Sequence, residues 1–164
     1  MRHLWAPWRI QYILGRKPEG CFLCGAVNAR RRRSRFMLAE TEHAAVVLNK
    51  YPYAAGHVLV FPKAHVPDLD GLSADALTGL FSLLRDATAA VRTAFSPDGL
   101  NIGANIGKAA GAGLEEHFHL HVVPRWNGDH NFMPVLAETM IFSEHLAATY
   151  HRLLPYFDFI NKKR

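Results

Sequence analysis

The strongest hydrophobic pattern in the chain is that of one long amphipathic helix. Between Ser73 and Ser96, apolar side chains recur at steps of three and four residues, at Leu77, Leu80, Phe81, Leu84, Ala87, Val91 and Phe95. Ser73 is suited to cap the N-terminus of this helix, and the Ser-Pro-Asp-Gly sequence at 96–99 is a stop signal. The spacing therefore predicts a single long helix in the middle of the chain.

Two apolar runs before this helix predict a β-hairpin. Residues 44–49 and 57–61 are short and largely apolar, and the loop between them contains Pro52 and Gly56. Residues 1–35 show no comparable periodicity. We therefore expect irregular structure over that first segment, with room for one short helix.

Two further runs follow the helix. Residues 100–105 predict a strand, and residues 116–123 alternate between polar and apolar side chains, which predicts another strand that ends before Pro124. The apolar side of this last strand should rest on the long helix. Residues 143–154 have helical spacing and predict a C-terminal helix. The order β-β-α-β-β, with the helices on one face, gives an α+β fold with a single antiparallel sheet.

Length and composition limit the chain to one domain. It has 164 residues, of which 49% are hydrophobic and 20% are charged, and this suffices for one ordinary core. A disordered chain and a two-domain enzyme are excluded. No apolar run approaches the ~20 residues that a membrane-spanning helix needs, and the N-terminal sequence lacks the apolar segment of a secretory signal. We therefore expect a cytoplasmic protein that does not contact a membrane.

The positive net charge comes from one short stretch. The chain carries 19 Lys and Arg against 14 Asp and Glu, which gives a net charge of +5. The excess is accounted for by one run of side chains, Arg30, Arg31, Arg32, Arg33 and Arg35. Nucleic-acid-binding domains usually spread basic side chains over a face and interleave them with aromatic ones. We therefore interpret the run as a solvated loop and expect no nucleic-acid partner.

Three histidines at alternate positions, His117, His119 and His121, carry the clearest chemical signal. With 10 His in 164 residues, such a row arises by chance with a probability of about 0.04. Half-buried strand histidines are one alternative. A zinc hydrolase is another, but three ligands on one straight strand do not converge, since its ends lie ~13 Å apart; two of them could still share a metal with residues from elsewhere. The spacing also suits a row of imidazoles that faces a phosphate, with the middle one attacking phosphorus.

Two stretches of the sequence resemble the histidine triad (HIT) family. Residues 115–125, EEHFHLHVVPR, are similar to its His-x-His-x-His signature, which two apolar residues follow. Residues 49–62, NKYPYAAGHVLVFP, resemble its strand pair with a ribose-binding Asn and an active-site His after Gly. The likeness runs from about residue 36 to 126. We therefore expect one HIT domain over the 164 residues, with an N-terminal extension (1–35), a core (36–126) and a C-terminal tail with a helix (127–164).

The resemblance implies a fold and a set of residue roles. The fold is a HIT-like half-barrel of about five antiparallel strands with one long helix and a shorter C-terminal helix, paired into a homodimer by the long helix and an edge strand. His119 would be the nucleophile that takes the nucleotidyl group. The implied partners of the nucleotide are His57 and His121 at the phosphates, Asn49 at the sugar and Asn105 at a phosphate or leaving-group oxygen.

The resemblance also implies a class of reaction. Residues 4–9 and 124–132 are similar to segments of the bacterial branch that includes diadenosine tetraphosphate phosphorylases. We expect a nucleotidyl hydrolase or transferase that cleaves adenosine-containing phosphoanhydrides, such as diadenosine polyphosphates, with water or inorganic phosphate as acceptor. The alternatives are a nucleoside phosphoramidate hydrolase and a non-catalytic module that binds purine nucleotides. No organic cofactor is expected.

One segment departs from the family's pattern. Many HIT hydrolases carry Gln and a hydroxyl residue a few positions before the triad, whereas this chain has Gly111, Ala112, Gly113 and Leu114 there. Backbone N–H groups at Gly111 and Gly113, together with Lys108, would hold phosphates instead. The same glycines would also serve a tight turn without touching a ligand.

The chain's two cysteines, Cys21 and Cys24, form a CxxC pair. We expect no structural disulfide between them, because the chain shows no export signal. A redox pair is disfavoured because no strand and helix N-terminus are predicted around Cys21. Zinc is the better interpretation, with two free thiols and a surface His65 as the alternative. The HIT resemblance implies the remaining ligands, His65 and His117, and so leaves His117 an orienting role beside the nucleophile.

Overall fold

The computed structural model describes residues 20–29, 32–129 and 144–161. The helices and strands, in chain order, are α1 (Phe22–Val27), β1 (Met37–Glu40), β2 (Ala44–Leu48), β3 (Val58–Pro62), α2 (Ala74–Phe95), β4 (Gly99–Ala104), β5 (Leu120–Arg125), α3 (Leu146–Leu153) and α4 (Asp158–Asn161). Short 3₁₀ turns occur at Arg32–Arg35, Lys108–Ala110 and Leu154–Phe157. None of the helices within these ranges is long and apolar enough to cross a membrane.

The strands form one antiparallel sheet in the order β1-β2-β3-β5-β4. β2 and β3 pair as the predicted hairpin, from Ala44 opposite Pro62 to Leu48 opposite Val58. The long helix α2 then leads the chain to the far edge, so that β4 returns beside β5. The α+β class and the five-stranded antiparallel sheet with a long helix and a C-terminal helix are confirmed.

Helix α2 begins and ends where its capping signals predict. The Ser73 hydroxyl accepts a hydrogen bond from the backbone N–H of Ala76 at 3.2 Å, which satisfies one of the helix's unpaired donors. Ser96 ends the helix in the left-handed conformation, with φ of 45°, and its N–H donates to the Arg92 carbonyl. The predicted long helix is therefore confirmed at both ends.

The two faces of the sheet have different cover. One face packs on α2, and Val46, Val60 and Val122 lie in that core. The opposite face is partly covered by α1, where Leu23 packs with residues such as Phe61. Because strand side chains alternate, the neighbours of the first set point away from α2. The predicted histidine positions belong to this second face.

Two details differ from the sequence prediction. Strand β1 has no counterpart there, because Met37–Glu40 is buried at every position and shows no alternation. Strand β5 begins at Leu120 rather than Glu116, since the N–H of Phe118 donates to the Val66 carbonyl outside the sheet. The alternation itself persists. The predicted C-terminal helix is present as α3, and its expected first residue, Ser143, lies outside the described residues.

Candidate active site and metal centre

Strand pairing brings two of the predicted histidines together. His57 directly precedes β3, and His121 lies in β5 opposite Leu59. The Nε2 atom of His57 is 3.0 Å from Nδ1 of His121. This contact joins residues 64 positions apart in the sequence. It follows from the β3–β5 register.

The hydrogen bonds around His57 set the tautomers of both rings. The backbone N–H of Tyr53 donates to His57 Nδ1 at 3.0 Å, so that nitrogen is an acceptor and the ring proton is on Nε2. That proton can then be donated to His121 Nδ1. His121 in turn carries its proton on Nε2. The Tyr53 ring stacks on His57 with centroids 5.0 Å apart, which holds the imidazole plane.

The turn before His57 explains how this ring is presented. Gly56 has φ of +80°, a conformation that favours glycine. A Cβ at this position would lie 2.8 Å from the Phe95 ring at the end of α2. The glycine before the active-site histidine is therefore needed both for its backbone conformation and for this close approach.

His119 lies just before β5, and the main chain fixes its tautomer. Its Nδ1 is 2.8 Å from the backbone carbonyl of His117. A carbonyl only accepts hydrogen bonds, so Nδ1 carries the proton and Nε2 carries the lone pair. His119 is 7% exposed, and this burial lowers the pKa of the ring below its ordinary value. A neutral imidazole with a fixed lone pair suits a nucleophile. The ring centroids of His119 and His121 are 5.1 Å apart.

The other predicted nucleotide contacts lie around this row. The Asn49 side chain reaches His57, with Nδ2 3.3 Å from Nδ1, while its Oδ1 accepts from the Tyr51 backbone N–H. Ala104 pairs with Leu120, so Asn105 leaves β4 beside the end of the row.

The glycine-rich segment beyond Asn105 forms a turn. Lys108 begins a short 3₁₀ turn and is exposed. Gly111 closes this turn with φ of +83°, and Gly113 is half-buried after it. The conformation accounts for Gly111 as a turn former. The N–H of Gly111 donates to the Lys108 carbonyl at 2.9 Å, so this donor is used inside the turn, and the structure favours the turn interpretation at Gly111.

A second cluster, which we call the Cys/His cluster, lies beside the row. It consists of Cys21, Cys24, His65 and His117, whose ligand atoms all lie within 4.8 Å of one another. Cys21 Sγ is 3.2 Å from His117 Nδ1, and His65 Nδ1 is 3.2 Å from the same atom. Cys24 Sγ is 3.3 Å from His65 Nδ1. These four side chains could hold a metal ion.

The side chain of His117 is prepared for such a role. It is fully buried, and its Nε2 donates to the Pro62 carbonyl at 2.8 Å. The lone pair therefore lies on Nδ1, which is the atom that faces both thiols and His65. Burial also lowers the pKa of His117, which favours the neutral form that binds metals. A carbonyl acceptor behind a histidine ligand is a common support of metal centres.

The cysteines are placed by α1. Cys21 is the N-cap of this helix, and its Sγ is 3.5 Å from the backbone N of Cys24. The sequence predicts no strand followed by a helix N-terminus around Cys21. The helix N-terminus is present, and the residues before Gly20 lie outside the described ranges. Burial raises the pKa of Cys24 above its ordinary value, so without a metal this thiol stays protonated.

Sequence reasoning missed the main-chain partners of the site. The Pro62 carbonyl, the His117 carbonyl and the Tyr53 N–H fix three imidazoles. Any residue type offers a carbonyl, so no sequence signal points to the first two. Gly56 is a sequence hint of the third partner, the Tyr53 N–H. A glycine there indicates a turn, and in this turn the His57 N–H donates to the Ala54 carbonyl, next to Tyr53.

Comparison with known proteins agrees with this arrangement. The HIT domain model matches residues 30–128. An AP-4-A phosphorylase from Mycobacterium tuberculosis (strain ATCC 25618 / H37Rv) is 32% identical over 162 residues, which cover 94% of this chain and 83% of that protein.

Two solved structures with 26% and 27% sequence identity to this chain share its fold. A hypothetical histidine triad nucleotide-binding protein from Sulfolobus tokodaii has a TM-score of 0.68 and 26% identity, over 87% of this chain and 95% of that one. A zinc-bound histidine triad family protein from Mycobacterium smegmatis has a TM-score of 0.66 and 27% identity, over 88% and 98%. The fold, the histidine row and the family match agree: the chain belongs to the histidine triad family of nucleotide-processing proteins.

Proposed function

We propose that the protein cleaves adenosine-containing phosphoanhydrides, such as diadenosine polyphosphates, through a nucleotide bound covalently to His119. The observation that carries this proposal is the fixed tautomer of His119, whose Nδ1–H donates to the His117 carbonyl and leaves the Nε2 lone pair for attack. His121 stands beside it, with its own proton on Nε2 through the contact with His57.

The reaction has two displacements at the same phosphorus. In the first, His119 Nε2 forms a bond to the α-phosphorus while the bond to the leaving phosphate oxygen breaks. In the second, water or inorganic phosphate attacks that phosphorus, and the bond to His119 breaks. Negative charge builds on the phosphoryl oxygens in both steps. N–H donors that the protein has already oriented stabilise it without reorganising, and His121, supported by His57, is placed to supply one.

The remaining nucleotide contacts belong to the same proposal. Asn49 binds the sugar, and Asn105 binds a phosphate or leaving-group oxygen. Lys108 neutralises the outer phosphates of the leaving group, and Gly111 and Gly113 shape the turn that carries it. This last role replaces the polar side chains that many HIT hydrolases carry before the triad. The exposure of Lys108 is compatible with contact to a long polyphosphate.

The relative from Mycobacterium tuberculosis is an AP-4-A phosphorylase, which favours inorganic phosphate as the second acceptor here. Two segments resemble the branch that includes such phosphorylases. Of these, residues 4–9 and 130–132 lie outside the described residues. Analysis of the reaction products distinguishes phosphate from water as the acceptor.

Zinc is our proposed occupant of the Cys/His cluster. Two thiolates and two imidazole nitrogens form a ligand set that zinc binds tetrahedrally in structural sites. Its ligands would then be about 3.3–3.8 Å apart for ordinary Zn–N and Zn–S bonds, and the separations from His117 Nδ1 to Cys21, Cys24 and His65 are 3.2–3.5 Å. The ion would fill its coordination with protein groups, so it would take no direct part in the bond-making steps.

We also propose that two copies of the chain form a homodimer through the β4 edge. β4 ends the sheet, and its outer edge has no strand partner among the described residues. Ile102 and Ile106, in and just after β4, are 49% and 51% exposed. An open apolar edge of this kind is usually covered. Size-exclusion chromatography with light scattering tests this assembly. The cytoplasmic location and the domain boundaries stay predictions.

Rapid-quench intact mass measurement with diadenosine tetraphosphate tests the activity. We expect a transient gain of one nucleotidyl group on the wild-type protein and none on His119→Asn. With phosphate as acceptor the products are ADP and ATP, whereas water gives AMP and ATP. Two ADP would mean symmetrical cleavage by attack at the β-phosphorus, which contradicts the proposed attack at the α-phosphorus. Turnover without any covalent nucleotide contradicts the mechanism.

Two other outcomes identify the alternative functions. A covalent nucleotide formed only from adenosine phosphoramidates would identify a phosphoramidate hydrolase. Tight AMP binding without a covalent nucleotide from any substrate would identify a binding module.

A further inference from the structure

His117 belongs to two sites at once. Its side chain is a member of the Cys/His cluster, and its main-chain carbonyl holds the ring of His119. We propose that the Cys/His cluster is a positioning device for His119, in which ligation of a metal ion fixes the direction of the carbonyl that orients the nucleophile. The inference deepens the proposed function and rests on it.

The peptide unit between His117 and Phe118 is the connecting element. Its carbonyl accepts from His119 Nδ1 at 2.8 Å, and its N–H donates to the Val66 carbonyl at 2.6 Å. A peptide unit is planar, so its carbonyl and its N–H turn together. The orientation of His119 therefore depends on where the main chain holds Val66.

A cluster ligand adjoins each end of the Phe118–Val66 hydrogen bond. His65 precedes Val66, and His117 precedes Phe118. The two ligand atoms, His65 Nδ1 and His117 Nδ1, are 3.2 Å apart. Ligation of one ion by both side chains would clamp the two main-chain segments together. The cysteines of α1 would tie the same point to the apolar layer on that face of the sheet.

Without a metal the clamp is weak. The contacts of Cys21 and Cys24 with His117 are weak without an ion, because sulfur forms only weak hydrogen bonds. His65 is exposed, so water competes for its ring. His117 keeps its hydrogen bond to Pro62, which preserves the side chain but does not fix the following peptide unit. We therefore expect the metal-free protein to stay folded while the His119 ring loses its single orientation.

The test compares zinc-loaded wild type with His65→Asn. Two quantities are measured: the NMR signal of the His119 Nδ1–H proton, assigned by its absence in His119→Asn, and the single-turnover rate at which diadenosine tetraphosphate modifies His119. We expect the variant to lose zinc and the N–H signal, and its rate to fall about 10–100-fold. KM should stay close to the wild-type value, because the nucleotide contacts are elsewhere.

A matched substitution controls for the loss of a histidine. His145 caps α3 and is not a member of the cluster, and His145→Asn keeps a good capping residue. This variant should retain zinc, the N–H signal and the rate. A merely structural metal centre would lower the melting temperature of His65→Asn but would leave the N–H signal and the rate of the folded protein unchanged.

Three results overturn the proposal: a zinc-free His65→Asn protein with the wild-type signal and rate, a wild-type protein that takes up no zinc, and equal signals before and after zinc removal. If His65→Asn does not fold, the wild type before and after removal of zinc by dipicolinate gives the same two readouts. If the wild type forms no covalent nucleotide, the proposed function fails, and the N–H signal with and without zinc still decides the positioning role.

Discussion

His117 and His119 are two residues apart and both are buried, yet they present opposite nitrogens to different surroundings. His117 gives its Nε2 proton to the Pro62 carbonyl and turns Nδ1 toward two thiols. His119 gives its Nδ1 proton to the His117 carbonyl and keeps the lone pair on Nε2. Main-chain carbonyls, rather than residue type or burial, therefore decide what each imidazole can do.

The different positions of the ring protons suit His117 and His119 to different chemistry. Burial lowers the pKa of both rings, so both are neutral donors of a lone pair. The lone pair of His117 meets soft sulfur atoms, a setting that suits zinc. The lone pair of His119 lies beside His121, an N–H donor that suits a phosphoryl group. In the proposed function, two equal side chains thus have different partners, a metal ion for His117 and a phosphorus atom for His119.

The largest effect is expected from exchanging either ring for Asn. His119→Asn should lower turnover by about 10⁴-fold or more, because a nucleophile has no substitute, while zinc content and AMP binding stay as in the wild type. His117→Asn should lose the zinc. Metal analysis, calorimetric AMP binding and steady-state rates distinguish the two variants. Loss of zinc from His119→Asn would contradict the separation of roles.

A smaller loss of rate is expected for His57→Ala. This change removes the N–H donor that sets the tautomer of His121, so a developing charge loses one oriented donor. We expect turnover to fall about 10²-fold, with zinc content unchanged. His43→Ala, a histidine packed beside α2 at Gly79, is a control that should keep the rate. A rate equal to that of the wild type in His57→Ala would exclude the relay from Tyr53 to His121.

The sequence predicted the parts of the fold that have a period. Helix α2 has a regular apolar spacing and clear caps, so its bounds could be found. Strand β1 could not, since it is buried on both sides and ends in Glu40, a buried carboxylate that Lys63 pairs with at 2.9 Å. The predicted start of β5, at residue 116, is too early, because the alternation of side chains continues beyond the last hydrogen-bonded pair of the strand.

For the site, the sequence shows which residue types are present but not how their side chains are oriented. The three histidines and the CxxC pair are visible in the sequence, and the family resemblance linked them to His65. Which nitrogen each ring presents depends on carbonyls of Pro62 and His117. Every residue has a carbonyl, so only the folded chain reveals which of them faces a ring.

Removal of one thiol should also lower the thermal stability, an effect that is measured separately from the rate. Cys24→Ser replaces a good zinc ligand by a poor one, so zinc content should fall. An ion present at 100 times its Kd stabilises the fold by about 2.7 kcal/mol, which corresponds to about 5–10 °C in Tm for a chain of this size. Calorimetric scans of wild type and variant, with and without dipicolinate, measure it. The chelator should lower Tm of the wild type and leave that of the variant unchanged; equal shifts would contradict a protein-bound zinc.

The smallest effect is expected at a position on the opposite side of the sheet. Ser73→Ala removes the N-cap of α2, which should cost about 1 kcal/mol of stability and about 2–4 °C in Tm, whereas Ser73→Asp should restore it. Zinc content and turnover should not change, because Ser73 contacts the helix backbone and not the histidines. Thermal scans and rate measurements on the three proteins check this. If turnover falls in proportion to the lost stability, the rate loss in the cluster variants reflects general destabilisation, and the carbonyl of His117 has no special part in it.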